Sequence, residues 1–276
     1  MKLSNLKRFN EYTLVRPPKH ELIDIGEYPS NFLRKSGPVY LSFYRISIKY
    51  GLEDEKERGF MYFSSPNQPI EWETEEPWQG YFINITEKLI SNNQHLDYSF
   101  LNYGLHEPLY LEQEEEVIIT QNFKSALHEF TKNFYSLELI LAYCNIIFAH
   151  VAQFYERQFD DRKDQYNHLV KKFFSLLNGY YTKPSNNPTE LPSVHYFANQ
   201  LSITPNYLSD LIKYYSGQST LDHIHQHIIR EAKRLLSEKS LSISEVAFRL
   251  GFEYPSYFTR LFKKSTGFSP SQFRNK

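Results

Sequence analysis

Residues 204–217 read TPNYLSDLIKYYSG and residues 254–267 read YPSYFTRLFKKSTG, one segment written twice at an offset of fifty positions. Pro205 pairs with Pro255, Tyr207 with Tyr257, Leu208 with Phe258, Leu211 with Leu261, Ile212 with Phe262, Lys213 with Lys263 and Gly217 with Gly267. A duplicated segment points to a duplicated structural job. In each copy the apolar residues recur at i, i+3 and i+4, one face of a helix, with proline in the first turn and glycine just past the end. Upstream lie two further amphipathic stretches, VHYFANQL at 194–201 and ISEVAFRL at 243–250, with Ala198 and Ala247 where close packing needs a small residue. Two short helices joined by a tight turn, twice over, predict two helix-turn-helix units, at about 193–217 and 242–267.

Residues 221–236 between the units are helical in pattern. Sixteen residues at about 1.5 Å each make a rod of about 24 Å, which with the width of the flanking units sets the two second helices about one DNA turn, roughly 34 Å, apart. Charge agrees with this geometry. From Lys183 onward the chain carries 12 Lys and Arg against 7 Asp and Glu, whereas the body before it carries 19 against 25. A basic tail on an acidic body predicts that the tail meets a polyanion. The competing reading is a helical bundle whose basic excess is a solvated face.

The stretch ISEVAFRLGFEYPSYFTRLFKKSTGFSPSQFR, residues 243–274, resembles the second helix-turn-helix of the AraC/XylS family of transcription regulators. The pattern is carried by Ala247, Gly251, Phe252, Phe258, Arg260, Phe262, Lys263, Gly267, Ser269, Pro270 and Arg274; the first unit matches more loosely. The resemblance covers about residues 191–274 and implies a sequence-specific regulator of double-stranded DNA, more often an activator, with a small-molecule effector and RNA polymerase as further partners; the single Cys144, which excludes an internal disulfide, points to a reducing cytoplasm.

If Leu208, Leu211 and Ile212 face inward, the first reading helix turns Asn206, Ser209 and Asp210 to base edges and Lys213 to phosphate. The family often carries a basic residue where Asp210 stands, and Asp210 bonded to a neighbouring side chain is the alternative. On the second helix Ser256, Tyr257 and Arg260 face the bases, and Thr259, Lys263 and Lys264 the backbone. Arg260 is the leading candidate, because a guanidinium grips guanine O6 and N7 with two bonds.

The body is less legible. Residues 1–121 carry strand-like runs separated by turns, among them 39–50 (VYLSFYRISIKY), whose alternation changes phase near Tyr44 and Arg45 and suggests a bulge or bend. Such strands make a small barrel or sandwich, and the resemblance implies a cupin-like sensing domain, so the fold class is α+β with an all-α tail. Tyr44, Tyr62, Trp72 and Phe82 are candidates to line a pocket for a small apolar or sugar-like molecule; the same rings serve equally as core. From Phe123 a heptad stripe runs through Phe130, Phe134, Leu137, Leu141, Phe148 and Val151. It predicts a helical region at 122–160, as one long helix or two broken near Tyr135 and Ser136, that either seams a homodimer, which the family precedent favours, or packs on its own barrel. A connecting helix at 161–182 leads to the DNA-binding domain at 183–276.

Enzymatic chemistry is not indicated. His20, His95 and His106 lack the close grouping a cupin metal site needs, and His223, His225 and His227 read as a partly exposed linker helix. No phosphate-cradling glycine motif is present, and the lone Cys144 lies on the apolar stripe. Neither metal nor cofactor is expected, and the N-terminal residues contain no apolar run that would enter a membrane. The functional alternatives are a DNA-binding protein whose body only dimerises and, more remotely, a cupin-type enzyme.

Overall fold

The computed structural model describes residues 1–50, 59–181, 190–238 and 240–275. The chain divides into two compact units, Met1–Asp161 and Arg162–Lys276.

The first unit is mixed α and β. Its elements in chain order are β1 (Lys2–Leu3), α1 (Leu6–Thr13), β2 (Ile23–Glu27), β3 (Val39–Leu41), β4 (Phe43–Tyr50), β5 (Phe60–Ser64), β6 (Pro69–Ile70), β7 (Gln79–Thr86), α2 (Glu87–Ser91), β8 (Leu109–Tyr110), α3 (Gln113–Thr131) and α4 (Leu137–Asp161). A five-stranded sheet has the order β2-β7-β4-β5-β8 and a small one the order β1-β3-β6. The β4–β7 ladder runs unbroken from Phe43 opposite Thr86 to Tyr50 opposite Gln79, so the expected bulge at Tyr44 and Arg45 does not occur. The chain bends instead at Ser42, where it passes from the small sheet to the large one. The mixed alternation has another cause: both faces of β4 are covered. Ile46 and Ile48 are fully buried on one face, and Arg45, Ser47 and Lys49 are buried on the other.

The stripe beginning at Phe123 forms two helices, α3 and α4, and they pack within the unit. Tyr81 stacks on Phe123, and Phe148 meets Tyr98 and Phe100 edge-on or nearly so. Phe130, Phe148 and Val151 are inaccessible, and Leu141 is nearly so. Apart from half-buried Leu137 and from Phe134, which stands out in solvent at 96% exposure, the proposed dimer seam is therefore an intramolecular core. A heptad stripe records burial, and here α3 and α4 supply it to each other together with the sheet and the 98–100 segment. α4 is long and apolar enough by composition to cross a membrane, yet its inner stripe is this core and buried Gln158 bonds to the backbone of Pro108 and Tyr110.

The second unit is all helical: α5 (Lys163–Gly179), α6 (Val194–Leu201), α7 (Pro205–Ser216), α8 (Thr220–Leu236), α9 (Ile243–Arg249), α10 (Pro255–Thr266) and α11 (Pro270–Arg274). Phe173 and Leu177 of α5 are buried in the same core as Phe197, Leu208, Ile228, Phe258 and Phe262. The expected connecting helix is thus an integral member of this unit. Residues 183–189, the expected start of the DNA-binding domain, lie outside the described residues.

Candidate nucleic-acid interface

The punctuation of the helices follows side-chain chemistry. Ser193, Thr204, Ser219, Ser242 and Ser269 cap α6, α7, α8, α9 and α11, each accepting a hydrogen bond from a backbone N–H in the first turn. A cap of this kind contributes about 1 kcal/mol. Gly217 and Gly267 end the two reading helices in the left-handed region, at φ 71° and 80°. The repeat extends to fine detail: Ser209 donates to the Pro205 carbonyl at 2.8 Å and Thr259 to that of Pro255 at 3.0 Å. Ser216 and Thr266 likewise bond to Ile212 and Phe262.

The turns differ by one residue. Ile203 N–H donates to Ala198 and Phe252 N–H to Ala247, an offset of 49 that becomes 50 once Glu253 is added. Gly251 sits there at φ 90°, and a β-carbon on it would fall 2.3 Å from the Glu190 carbonyl oxygen. Only glycine satisfies both demands. Ser202, its counterpart, takes φ 58° without such a neighbour.

In α10, Phe258 and Phe262 are buried and Leu261 half-buried, while Ser256, Tyr257, Arg260, Lys263 and Lys264 are exposed. At 100° per residue Arg260 lies opposite the core, with its guanidinium 5.8 Å from the Tyr257 ring. Tyr257 in turn meets Tyr254 edge-on at 5.7 Å, and both rings are more than half exposed. Tyr254 was not among the expected contacts; an aromatic where a capping serine or threonine belongs was the available signal.

α7 presents a different surface. Tyr207, the counterpart of exposed Tyr257, is buried and its hydroxyl donates to Tyr166 of α5 at 2.9 Å. Cover on that flank leaves Asn206, Ser209 and Asp210 only half-exposed, while Lys213 is exposed. The hydroxyl protons of Ser209 and Thr259 are directed at carbonyls, which leaves their oxygens as acceptors. Ser209 can therefore accept from a base amino group, and half-buried Thr259, expected to face the DNA backbone, bonds its hydroxyl to its own helix.

Several other cations of this unit serve the fold. Arg234 pairs with Glu231 and Glu238, Arg249 approaches Glu238, Lys233 lies over the Phe273 ring, and Arg274 donates to the Leu236 carbonyl. Among the described residues Lys213, Arg260, Lys263 and Lys264 make no ion pair. α10 thus carries three positive charges and no acidic residue, whereas α7 carries Asp210 beside Lys213. Two of the linker histidines are structural: His223 bonds to Ser216 at 2.8 Å, and His227 is buried and stacked on Tyr181. Burial lowers the pKa of all three linker histidines.

The first unit holds a cavity of about 720 Å³. Tyr62 and Trp72 line it as expected. Tyr44 does not, because strand alternation turns it to the opposite face of β4, and Phe82 is buried beneath, against Tyr28. The remaining wall includes Tyr28, Phe32 and Trp78, and two buried cations, Arg45 and Lys49. Two basic residues four apart on one strand face were the signal for them.

Residues 197–276 match a family model described as a helix-turn-helix domain. The arabinose operon regulatory protein of Escherichia coli is 40% identical over 77 residues, which are 28% of this chain and 26% of that protein. The Bacillus subtilis HTH-type transcriptional regulator YobQ is 41% identical over 71 residues, 26% of this chain and 30% of the relative. The matched segments therefore span less than a third of those relatives' own length. Among solved structures, the C-terminal domain of AraT, a response regulator from Geobacillus stearothermophilus, aligns over 39% of this chain and 84% of its own, at 29% identity and a TM-score of 0.35.

Proposed function

Because its C-terminal unit is an AraC-type helix-turn-helix domain, we propose that this chain is a transcription regulator that reads specific double-stranded DNA with α7 and α10. The observation that carries the proposal is the set of four cations, Lys213, Arg260, Lys263 and Lys264, exposed on the two reading helices and, among the described residues, in no ion pair, whereas Arg234 is held by Glu231 and Glu238. Counterion release at phosphates supplies affinity, and Arg260 supplies discrimination. Asn206, Ser209, Asp210, Ser256 and Tyr257 complete the base-facing set.

The first unit is read as a cupin-like sensing domain. Its cavity, walled by β4 and β5 of the large sheet and Ile70 of the small one, supports an effector-responsive regulator over one whose body only dimerises. A homodimer and activation through RNA polymerase belong to the same reading, as does a cytoplasmic location.

Selection of bound fragments from genomic DNA by the full chain tests the proposal. A single enriched motif with two half-sites is expected. Arg260→Ala should cost about 1–3 kcal/mol and relax the preference at one base pair, whereas Lys263→Ala should weaken all sequences alike and reduce the salt slope by about one. Salt-sensitive binding without any motif would refute base readout.

A further inference from the structure

The cavity of the first unit is unlike an apolar pocket in one respect: its wall contains two cations that make no ion pair with any described residue. Lys49 is 7% exposed and Arg45 6%. Arg45 donates to the Asn84 side chain at 2.6 Å and to the Tyr28 hydroxyl at 2.9 Å, both neutral, and its guanidinium lies over the rings of Phe9 and Phe82. Three ring faces lie about the ammonium of Lys49: Trp78 at 2.9 Å, Tyr62 at 5.4 Å and Tyr28 at 6.0 Å. Burial, with Arg45 as a like-charged neighbour, holds its pKa well below the usual lysine range. Cation–π contacts of about 0.5–2 kcal/mol each do not replace the hydration lost by a buried ammonium. A buried charge left unpaired is costly, and a structure that keeps one at a cavity wall gains when an anion arrives.

We infer that this cavity binds a small organic monocarboxylate with a flat body, its carboxylate on Lys49 and its ring against the aromatic wall. Tyr28, Tyr62, Trp72 and Trp78 supply stacking faces for a pyranose or an arene, and about 720 Å³ suits one small ligand. The rim limits the charge. Glu71, Glu73, Glu75 and Glu76 are exposed on the cavity border, and Lys35, paired with Glu73 at 2.8 Å and near Glu71, leaves the rim net acidic. A ligand anionic at both ends would meet those carboxylates, whereas a monocarboxylate presents neutral groups to them. This deepens the effector-responsive part of the reading above and rests on it.

Calorimetric titration of the full chain in the absence of DNA tests the inference with two matched pairs, galacturonate against galactose and phenylacetate against phenylacetamide. One carboxylate should bind saturably and its neutral partner about 10- to 100-fold more weakly, the worth of one charge-assisted hydrogen bond. The productive pair also tells a sugar acid from an arene acid. Lys49→Met, which keeps the apolar stem, should reduce carboxylate affinity by the same factor while the first unit still unfolds in one cooperative transition, no lower than wild type. Equal binding of the neutral partner, unchanged affinity in the Lys49→Met protein, or binding of neither carboxylate overturns the inference. A preparation that selects a DNA motif yet binds neither carboxylate sinks this inference alone. One that binds a carboxylate and selects no motif sinks the regulator reading alone.

Discussion

Two residues of opposite fate show what single side chains do here. Arg260 is exposed, unpaired with any carboxylate among the described residues, and held by Tyr257, so its charge is available to a partner. Lys49 is buried, so its charge burdens the fold. The sign of the resulting pH dependence follows from its depressed folded-state pKa. The unfolded chain takes up the proton first as pH falls below the ordinary lysine value of 10.5, and folded stability therefore declines toward neutrality. Lys49→Met removes that loss. The ligand-free variant should melt about 2–4 °C or more above wild type at pH 7, with the gap closing as pH rises toward 10, by scanning calorimetry of the first unit's transition. A gap independent of pH would place the effect in packing rather than titration. Gly251 makes a sharper demand, since a side chain there meets both the Glu190 carbonyl and a left-handed backbone. Gly251→Ala should destabilise the second unit by about 1–3 kcal/mol, seen as a lower denaturant midpoint at unchanged slope.

Among elements, α5 and α4 each depart from what periodicity suggested. α5 reads as a connector but buries Phe173 completely and meets Tyr207 through Tyr166. Phe173→Ala should cost about 3–5 kcal/mol of unfolding free energy, and a fragment beginning at residue 183 should fail to unfold cooperatively where one beginning at residue 162 succeeds. Circular dichroism during urea titration decides both. For α4, the stripe expected to seam two subunits is spent inside the first unit, against α3, β8 and the 98–100 segment. The residues left for a second copy are on its outer side, where Leu139 and Ile146 are about 40% exposed, seven positions apart. Ile146→Glu should convert a dimer to a monomer in sedimentation equilibrium without lowering the melting temperature; a dimer that survives the charge lies elsewhere.

At the scale of the whole molecule the two units divide labour by charge, with a basic tail and an acidic body. If the body joins two tails, the fragment from residue 162 should bind an isolated two-half-site operator at least about 100-fold more weakly than the full chain, through loss of effective concentration, with each half-site contact intact. Equal affinity by fluorescence anisotropy would mean that the body adds no avidity. The sequence by itself determined the tail: the fifty-residue repeat, its prolines, glycines and capping residues fixed four helices and the exposure of Arg260, Lys263 and Lys264. Helix ends and helix faces are local properties, set within a few residues by backbone hydrogen bonds and a 3.6-residue period. Tertiary structure alone decided the rest. It buried Tyr207 while exposing Tyr257, turned the α3–α4 stripe inward, and placed Arg45 and Lys49 beside Trp78 and Tyr28 at one cavity. Which neighbour covers an apolar face, and which charge is stranded inside, depends on residues brought together from distant parts of the chain, and periodicity carries no record of them.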